Sequence, residues 1–259
     1  MKILRNKYFM FLLGFLFLIG VWFLVSAIVD VESMVFPSPW NTFKLMFELL
    51  GQKKTYGYLG FSVVRLLVGF FTSFILAFLL GIIVNNSDAL YNFFTPIVTF
   101  LKAAPTATFV FIFVVLFGGR NAPALVVIMM TFPILYESIV SAIRSTDNTV
   151  LDAAKIDGAN KLKTLFCVQL PLGTPFIVLG IVSTFGMAFK VEIMAEIITS
   201  ITKGGIGSMI KINQLLDGID LTPMFAYSLM AIILVLIVSI ATSILKSRIA
   251  MVQTKNKAN

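Results

Sequence analysis

Long apolar runs alternate with short polar segments along the chain. Six of these runs contain no Asp, Glu, Lys or Arg: Tyr8–Val29, Leu66–Ser87, Ala103–Gly119, Asn121–Tyr136, Gln169–Phe189 and Met224–Leu245. Because a membrane-spanning helix needs about 20 mostly apolar residues, four of the runs are long enough alone. The third and fourth are shorter and are expected to borrow neighbouring residues, Phe100–Lys102 and Glu137–Ile143. Strands of a membrane barrel would instead alternate over about 10 residues, so the pattern predicts an all-α, polytopic membrane protein with about six transmembrane helices.

Composition supports a membrane protein and excludes several kinds of chemistry. The 259-residue chain is 59% hydrophobic and 12% charged, with a mean hydropathy of +0.99, whereas soluble proteins carry about 25% charged residues. The single cysteine, Cys167, rules out an internal disulfide, and the absence of histidine removes the common His-based metal and catalytic sites. The chain contains no G-x-x-x-x-G-K-[ST] phosphate loop. We therefore expect no metal, no cofactor and no enzymatic activity in this chain.

The distribution of lysine and arginine predicts the orientation in the membrane. If the N-terminus is inside, the inner segments hold eleven Lys and Arg residues and the outer segments hold six. Both termini are therefore expected on the cytoplasmic side of the cell membrane. The net charge of +8 is interpreted as topology and contact with anionic lipid, not as nucleic-acid binding. The first apolar run exceeds the roughly 7–15 residues of a secretory signal core, so an uncleaved first helix is predicted.

The polar segments divide the chain into four predicted parts, and no internal repeat is evident. Residues 1–34 form the first transmembrane helix and residues 35–57 an external loop. Residues 58–247 form the membrane core, which includes a cytoplasmic loop at 144–172. Residues 248–259 form a cytoplasmic tail.

The external loop is expected to contain a short amphipathic helix. Ser38 suits the N-cap and Pro39 the first helical position. Apolar residues then recur at helical spacing: Phe43, Met46, Phe47 and Leu50. Two roles stay open for this helix. It could anchor the chain at the membrane surface, where Trp40 is suited to lie, or it could dock a partner.

Small residues recur at regular spacing in the second apolar run. Gly69, Ser73, Ala77 and Gly81 are spaced by four, so they form one stripe along a helix. Such a stripe lets a second helix approach closely. The sequence leaves open whether that neighbour belongs to the same chain or to a second copy.

The longest predicted cytoplasmic segment, 144–172, contains signals for a short helix. Thr149 is expected to cap this helix, with Asp152 three residues later completing a capping box. Gly158 is expected to end the helix in a left-handed conformation. A second apolar face and a proline stop follow: Leu162, Leu165, Phe166 and Pro171. Because so short a helix is marginal in water on its own, the segment predicts a docking surface for a partner.

The same segment resembles the EAA motif, E-A-A-x3-G-x9-I-x-L-P, of permease subunits of binding-protein-dependent ABC importers. Six positions carry the resemblance: Asp152, Ala153, Ala154, Gly158, Leu170 and Pro171. Asp152 stands in place of the leading glutamate, and Val168 in place of the isoleucine. The resemblance implies that an ATPase couples to this segment through these six residues together with Asp157 and Ala159.

Further landmarks resemble the nitrate/sulfonate/taurine branch of this family. They span roughly residues 35–215 and are Pro37-Ser38-Pro39, Ser62-Val63-Val64-Arg65, Gly69-Phe70, Pro105, Phe132-Pro133-Ile134, Ala195-Glu196 and Gly205-Ile206-Gly207. A tryptophan that is often found shortly before the Ala-Glu pair is missing here, where Phe189-Lys190 lies nearby.

The resemblance implies a fold, a set of partners and a class of solute. The fold is that of a type I ABC importer permease (MetI-like), which pairs with a second permease, usually an identical copy. The implied partners are two cytoplasmic ABC ATPases and an external solute-binding protein, and the implied solute is a sulfonate, taurine, nitrate or a vitamin precursor. Two rival functions stay open. One is an ion-coupled secondary transporter, with Glu192 and Glu196 as its candidate coupling residues, and the other is a structural or assembly protein of the membrane.

Three charged residues, Lys190, Glu192 and Glu196, follow the fifth apolar run in the outer part of the predicted helix. Each intramembrane charge costs about 2.5–3.5 kcal/mol on insertion scales, and two carboxylates one turn apart repel each other. A cation or a protonated carboxyl is therefore expected beside them. The group is interpreted either as the lining or gate of a translocation pathway or as a structural salt bridge near the outer surface.

Two further cations lie close to or within apolar runs. Lys102 precedes Ala103-Ala104-Pro105, where the proline is expected to break the helix, and Lys102 either lines an inner vestibule or marks the cytoplasmic end. Arg65 is expected to snorkel from one or two turns inside the second helix. If the solute is an anion, Lys102 and Lys190 are the expected attracting charges. The candidate residues of a translocation pathway are therefore Lys102, Lys190, Glu192 and Glu196.

Overall fold

The computed structural model describes residues 7–28, 36–199, 204–216 and 220–258. These residues contain eleven α-helices, named α1 to α11 in chain order: Lys7–Ile28, Pro39–Leu50, Lys53–Asn85, Asp88–Ala103, Thr106–Phe117, Ala122–Arg144, Asn148–Ile156, Lys161–Thr164, Leu170–Thr199, Ile206–Leu216 and Thr222–Ala258. A π-helical turn, Leu165–Gln169, joins α8 to α9. No strand occurs in the described ranges, and the all-α prediction is confirmed. The predicted first segment, 1–34, and tail, 248–259, lie partly outside the described residues.

Four described helical stretches are long and apolar enough to cross a membrane: α3, α6, the continuous run Lys161–Thr199 and the part Thr222–Ile244 of α11. In addition, α1 is apolar over Leu13–Ile28. These stretches coincide with the first, second, fourth, fifth and sixth predicted runs. As expected, α6 includes the residues that the fourth run had to borrow.

The third run, Ala103–Gly119, is not one straight helix, and the break that the sequence predicts at Pro105 is present. α4 and α5 meet there at an angle of 96°, and Ala104 between them is extended, with ψ at 135°. The ring of a proline pushes the preceding residue out of the helical region, so Pro105 produces the break. The two helices together form a broken span or a re-entrant pair.

The third helix begins earlier than predicted. It starts at Lys53, inside the segment assigned to the external loop, so Arg65 lies more than three turns from its start. The Thr55 hydroxyl donates to the carbonyl of Leu49 at 2.7 Å, which ties the first turn of α3 to the end of α2. The first turns of α3 are more polar than the rest of the helix, so the hydropathy pattern recognises α3 only from Leu66.

The stripe of small residues packs α3 against α6, so the neighbour that the sequence left open belongs to the same chain. All four stripe residues are buried. Gly69 lies against Ala124 and Val127, and a Cβ added there would be 2.8 Å from the Ala124 carbonyl oxygen. Lower on the stripe, the Thr131 hydroxyl donates to the hydroxyl of Ser73 at 2.7 Å.

This contact predicts opposite effects for the same substitution at two glycines of α3. Gly69→Ala is expected to destabilise the protein by about 1–3 kcal/mol because the methyl group meets backbone that cannot move aside. Gly60→Ala is the matched control, since a Cβ there has nothing within 4 Å and alanine favours a helix by about 1 kcal/mol over glycine. Thermal unfolding of both variants in the same lipid checks this. Equal stability of the two would show that α3 and α6 are not in close contact.

The second helix confirms its predicted start. The Ser38 side chain accepts from the backbone N–H of Asn41, and Pro39 is the first residue. One face of α2 is buried, in part against α11: Pro39, Thr42, Met46 and Leu49. Trp40 is 72% exposed and Phe47 65% exposed, so the apolar face is only partly used by the chain itself. Exposure of the tryptophan suits an anchor at the membrane surface.

Candidate functional site

The short helix α7 begins at Asn148, and its cap is not the one predicted. Asp147 is the N-cap, in an extended conformation, and its carboxylate accepts from both the backbone N–H and the hydroxyl of Thr149 at 2.9 Å. The prediction that Thr149 caps the helix is wrong, because the helix starts earlier and an ionised carboxylate two residues upstream takes that role. The hydrogen bond from the Thr149 backbone N–H has the largest effect and the one from its hydroxyl the next largest, and together they hold the pKa of the Asp147 carboxyl below its ordinary value. The cap is therefore present at neutral pH and is lost only in acid, when the carboxyl takes a proton.

The end of α7 has the predicted left-handed glycine. Gly158 has φ of +76°. Its N–H donates to the backbone carbonyl of Lys155, and the N–H of Ala159 donates to the backbone carbonyl of Ala154, both at 3.0 Å. These two bonds form a Schellman motif, which satisfies carbonyl groups at the end of a helix. Both ends of this nine-residue helix are thus closed by the chain itself.

The surface of α7 is exposed on all sides. None of its residues is buried, and Ala153, Asp157 and Gly158 are exposed while Ala154 is half-buried. Asp152 bonds only Lys155, one turn along, at 2.8 Å. Ile156 is 86% exposed, which is unusual for an isoleucine on a helix outside the membrane-spanning runs.

The return from α7 into the membrane is one continuous helical run, so the predicted stop at Pro171 is wrong. The N–H of Leu170 donates five residues back, to Leu165. This π-turn lies directly before Pro171, which has no N–H to donate, and the change of hydrogen-bond register there lets the helix pass through the proline. Leu170 is half-buried and Pro171 exposed.

A side chain that the sequence reasoning missed holds this return in place. Gln169 is buried; its Nε2 donates to the carbonyl of Ile143 on α6 at 3.2 Å, and its Oε1 accepts from Asn85 of α3. Gly173 is packed so closely on Ala142 that an added Cβ would overlap that backbone. A polar glutamine inside an apolar run was the only signal that could have pointed to this contact. The α7 segment is therefore attached to two helices of the core.

A second polar site lies where α3, α9 and α10 meet. Glu196 has no exposed surface and accepts three hydrogen bonds: from Arg65 Nη1 at 2.9 Å, from Ser62 Oγ at 2.7 Å and from the Gly207 N–H at 3.0 Å. The Ser62 hydroxyl in turn accepts from the N–H of Ile206 at 2.9 Å. One carboxylate thus joins three helices.

This site corrects the expectation that Arg65 snorkels, because the Arg65 side chain is only 14% exposed and its guanidinium is paired with Glu196. It also explains the Gly-Ile-Gly landmark. A Cβ at Gly205 would overlap the Ser62 hydroxyl and the Glu196 carboxylate, and one at Gly207 would lie 2.7 Å from the Glu196 Cβ. Only glycines let α10 approach the carboxylate this closely.

The neighbouring carboxyl, Glu192, is different. It is also fully buried, yet neither of its oxygens has a hydrogen-bond partner among the described residues. An ionised carboxylate without a partner is very costly to bury. The expected cation is therefore present for Glu196, as Arg65, whereas the described residues offer Glu192 no such partner.

The two lysine candidates lie apart from this pair. Lys190 is exposed and borders a cleft between α9 and α11; it forms no ion pair with a described residue. Lys102 pairs with Glu137 of α6 at 2.7 Å, and the two side chains are 43% and 46% exposed. Glu137 was missed, although it is the only acidic residue in α6.

Comparison with known proteins identifies the family. The family described as "Binding-protein-dependent transport system inner membrane component" matches residues 69–251, which include the α7 segment and both polar sites except Ser62 and Arg65. The chain belongs to this family. The match confirms the resemblance read from the EAA motif, and it confirms a component of the inner membrane.

Individual relatives in the family are distant. The chain is 29% identical over 132 residues to the glycine betaine/proline betaine transport system permease protein ProW of Escherichia coli (strain K12), a match covering 51% of this chain and 36% of that protein. It is 26% identical over 182 residues to the putative aliphatic sulfonates transport permease protein SsuC of Bacillus subtilis (strain 168), covering 70% and 65%. It is 21% identical over 193 residues to the taurine transport system permease protein TauC of Escherichia coli (strain K12), a match covering 72% of this chain and 70% of that protein. The first two matches span less than two thirds of those relatives.

Solved structures of transporters share the fold. The structure titled "Inward facing conformations of the MetNI methionine ABC transporter" matches with a TM-score of 0.63 at 17% identity, over 80% of this chain and 98% of that chain. An amino acid ABC transporter crystallised with histidines matches with a TM-score of 0.61 at 15% identity, over 85% and 99%. The predicted permease fold of type I ABC importers is thereby confirmed.

Proposed function

We propose that this chain is the transmembrane permease subunit of an ATP-driven importer. Two identical copies form the pathway, two cytoplasmic ABC ATPases supply the energy, and an external binding protein delivers a small solute. Membership of the transport-component family supports this function. The ATPases are separate subunits because the chain has no phosphate loop.

The observation that carries the proposal is the unpartnered helix α7. It is capped at both ends and attached to the core through Gln169, but it buries no residue of its own. A nine-residue helix gains little stability alone in water, and its exposed Ile156 favours contact with another protein. With both termini inside, as the charge distribution predicts, α7 faces the cytoplasm, where the ATPases are.

The exposed ion pair of Lys102 and Glu137 supports a pathway between two copies. Glu137 lies within the membrane-spanning helix α6, about 10 Å from the end of that helix at Arg144. A half-exposed ion pair facing hydrocarbon would be costly, and such groups usually face water or protein. We place this pair on the inner part of the pathway. Lys190, Glu192 and Glu196 stay predictions as pathway residues, the last two being buried within the chain.

Uptake by reconstituted vesicles tests the function against its two rivals. The permease is reconstituted with its ATPase on one side and its binding protein on the other, with sulfonates, taurine, nitrate and vitamin precursors as trial solutes. We expect uptake that requires ATP and both partners. Uptake driven by an ion gradient alone would identify a secondary transporter, and no uptake under any condition would favour a structural protein.

A substitution on α7 tests its role as the docking helix. Ile156→Glu is expected to leave the protein in the membrane but to weaken ATPase binding by at least about tenfold, because a carboxylate buried in a contact without a partner is costly. Ile156→Leu is the matched control and is expected to bind normally. ATPase co-purification and uptake are measured for both. Unchanged binding in Ile156→Glu would place the ATPase elsewhere.

A further inference from the structure

An open cleft lies beside the Glu196 site, between α3 and the start of α6. Its volume is about 840 Å³, and it contains two arginines, Arg65 from α3 and Arg120 from the turn between α5 and α6. This volume is within the range of about 300–1,000 Å³ that small-molecule sites occupy. With α7 in the cytoplasm, the cleft lies in the outer part of the chain, where a delivered solute would enter.

The two arginines are available to a ligand to different degrees. Glu196 accepts from one of the five N–H donors of Arg65, on Nη1, and holds the guanidinium in place. Arg120 is exposed and forms no ion pair with an acidic residue of the described ranges. Since Glu196 balances only one of the two cations and no acidic residue is among those that line the cleft, the cleft keeps an excess positive charge.

The remaining walls are largely apolar. Val64 and Val68 of α3 and Ile128 of α6 are among the lining residues, and Asn121 adds one amide. A pocket with apolar walls and a few fixed polar groups selects a ligand with the same division. Guanidinium groups bind planar or tetrahedral oxyanions through paired hydrogen bonds, whereas a cation would be repelled.

We propose that this cleft binds a small aliphatic oxyanion, a carboxylate or a sulfonate, through Arg65 and Arg120. The inference rests on the proposed function, in which the anion is the transported solute. Arg65 and Arg120, instead of Lys102 and Lys190, are then the charges that attract the anion. Glu196 acts as a positioning residue, because its buried carboxylate holds Arg65 at the cleft before a ligand arrives.

Charge-selective labelling of a cysteine in the cleft tests this. Val64→Cys is introduced with Cys167→Ser, so that the new thiol is the only one in this chain, and labelling of the permease band alone is measured. The assembled complex, without ATP, is treated with the anionic reagent sulfonatoethyl methanethiosulfonate and with its cationic trimethylammonium counterpart. Phe47→Cys on α2, also exposed and outside the cleft, is the matched control. We expect the anionic-to-cationic rate ratio to be about tenfold higher at residue 64 than at residue 47, as a cleft lined by positive charge attracts anions.

Substitutions and competitors separate the solute from other sources of the effect. Arg120→Gln is expected to bring the ratio at residue 64 close to that of the control, and propanesulfonate, but not the neutral propanesulfonamide, is expected to slow labelling. Arg65→Lys keeps the charge without the paired donors and should retain the ratio while losing this competition. Arg65→Gln is avoided because it would leave Glu196 unpaired.

A lipid headgroup could supply the same oxyanion chemistry, so labelling is repeated in phosphatidylcholine nanodiscs with and without phosphatidylglycerol. Protection by phosphatidylglycerol without competition by propanesulfonate would overturn the proposal in favour of lipid. An equal ratio at residues 64 and 47 would overturn it outright. Labelling needs no ATP, so the two proposals can fail separately. An equal labelling ratio together with normal uptake would reject the anion site but not the permease function. Selective labelling without any uptake would reject the permease function but not the anion site.

Discussion

Replacing Gly158 by valine is expected to abolish solute uptake while leaving the protein in the membrane. Gly158 has φ of +76°, and a Cβ added there meets nothing within 4 Å. The effect is therefore one of backbone conformation and not of space. A left-handed residue with a Cβ costs about 1–2 kcal/mol, and a β-branched residue more. The cost falls on a helix with nine residues and no buried side chain, so α7 is expected to lose its last turn and its docking surface.

Asparagine supplies the matched control at this position. Gly158→Asn is expected to keep most of the uptake, because asparagine tolerates the left-handed conformation far better than valine. Membrane level, ATPase binding and uptake are measured for both variants. If Gly158→Val transports normally, the shape of α7 is irrelevant and the segment is an ordinary loop.

Glu196→Ala is expected to be the most destabilising single change, at about 3–5 kcal/mol. It leaves the guanidinium of Arg65 largely buried without its carboxylate, and it removes the acceptor of two further hydrogen bonds, from Ser62 and Gly207. A loss of this size is a large part of the roughly 5–15 kcal/mol that holds a typical protein folded. Thermal unfolding in nanodiscs measures it.

Two further variants decide whether the buried pairing is the cause. Arg65→Ala with Glu196→Ala is expected to recover part of the lost stability, since no unpaired charge remains buried. Glu137→Ala, which breaks the half-exposed pair with Lys102, is expected to cost no more than about 1 kcal/mol. Equal losses for Glu196→Ala and Glu137→Ala would contradict the view that burial makes the Arg65 pair important.

Local signals in the sequence predicted local structure well. The left-handed end of α7, the cap of α2 and the break before Pro105 each depend on a few adjacent residues, and all three are present. Two local predictions failed for physical reasons. Thr149 and Asp147 are both good capping residues, and only the true start of the helix decides between them. Pro171 is a helix breaker in general, but the π-turn before it removes the conflict.

Contacts between distant parts of the chain could not be derived from one sequence. Arg65 and Glu196 are 131 positions apart, and the sequence showed only that a cation was needed near the carboxylates. Lys190 was the nearest cation along the chain, yet it lies on an exposed face of α9. The pairing of Lys102 with Glu137 and the anchoring by Gln169 could not be predicted for the same reason, because hydropathy indicates the apolar part of each helix but not which helices meet.

Cross-linking from residue 156 tests most directly whether α7 is the cytoplasmic docking surface of an ATPase. Ile156→Cys and Trp40→Cys are made separately with Cys167→Ser, and each is treated in intact cells with a membrane-impermeant thiol reagent and, in the purified complex, with a thiol photo-cross-linker. We predict that residue 156 is protected from the outside and cross-links to the ATPase, whereas residue 40 on α2 is labelled from outside and does not. Labelling of residue 156 from outside, or a fully active complex in which residue 156 never cross-links to the ATPase, would show that α7 is not the docking surface.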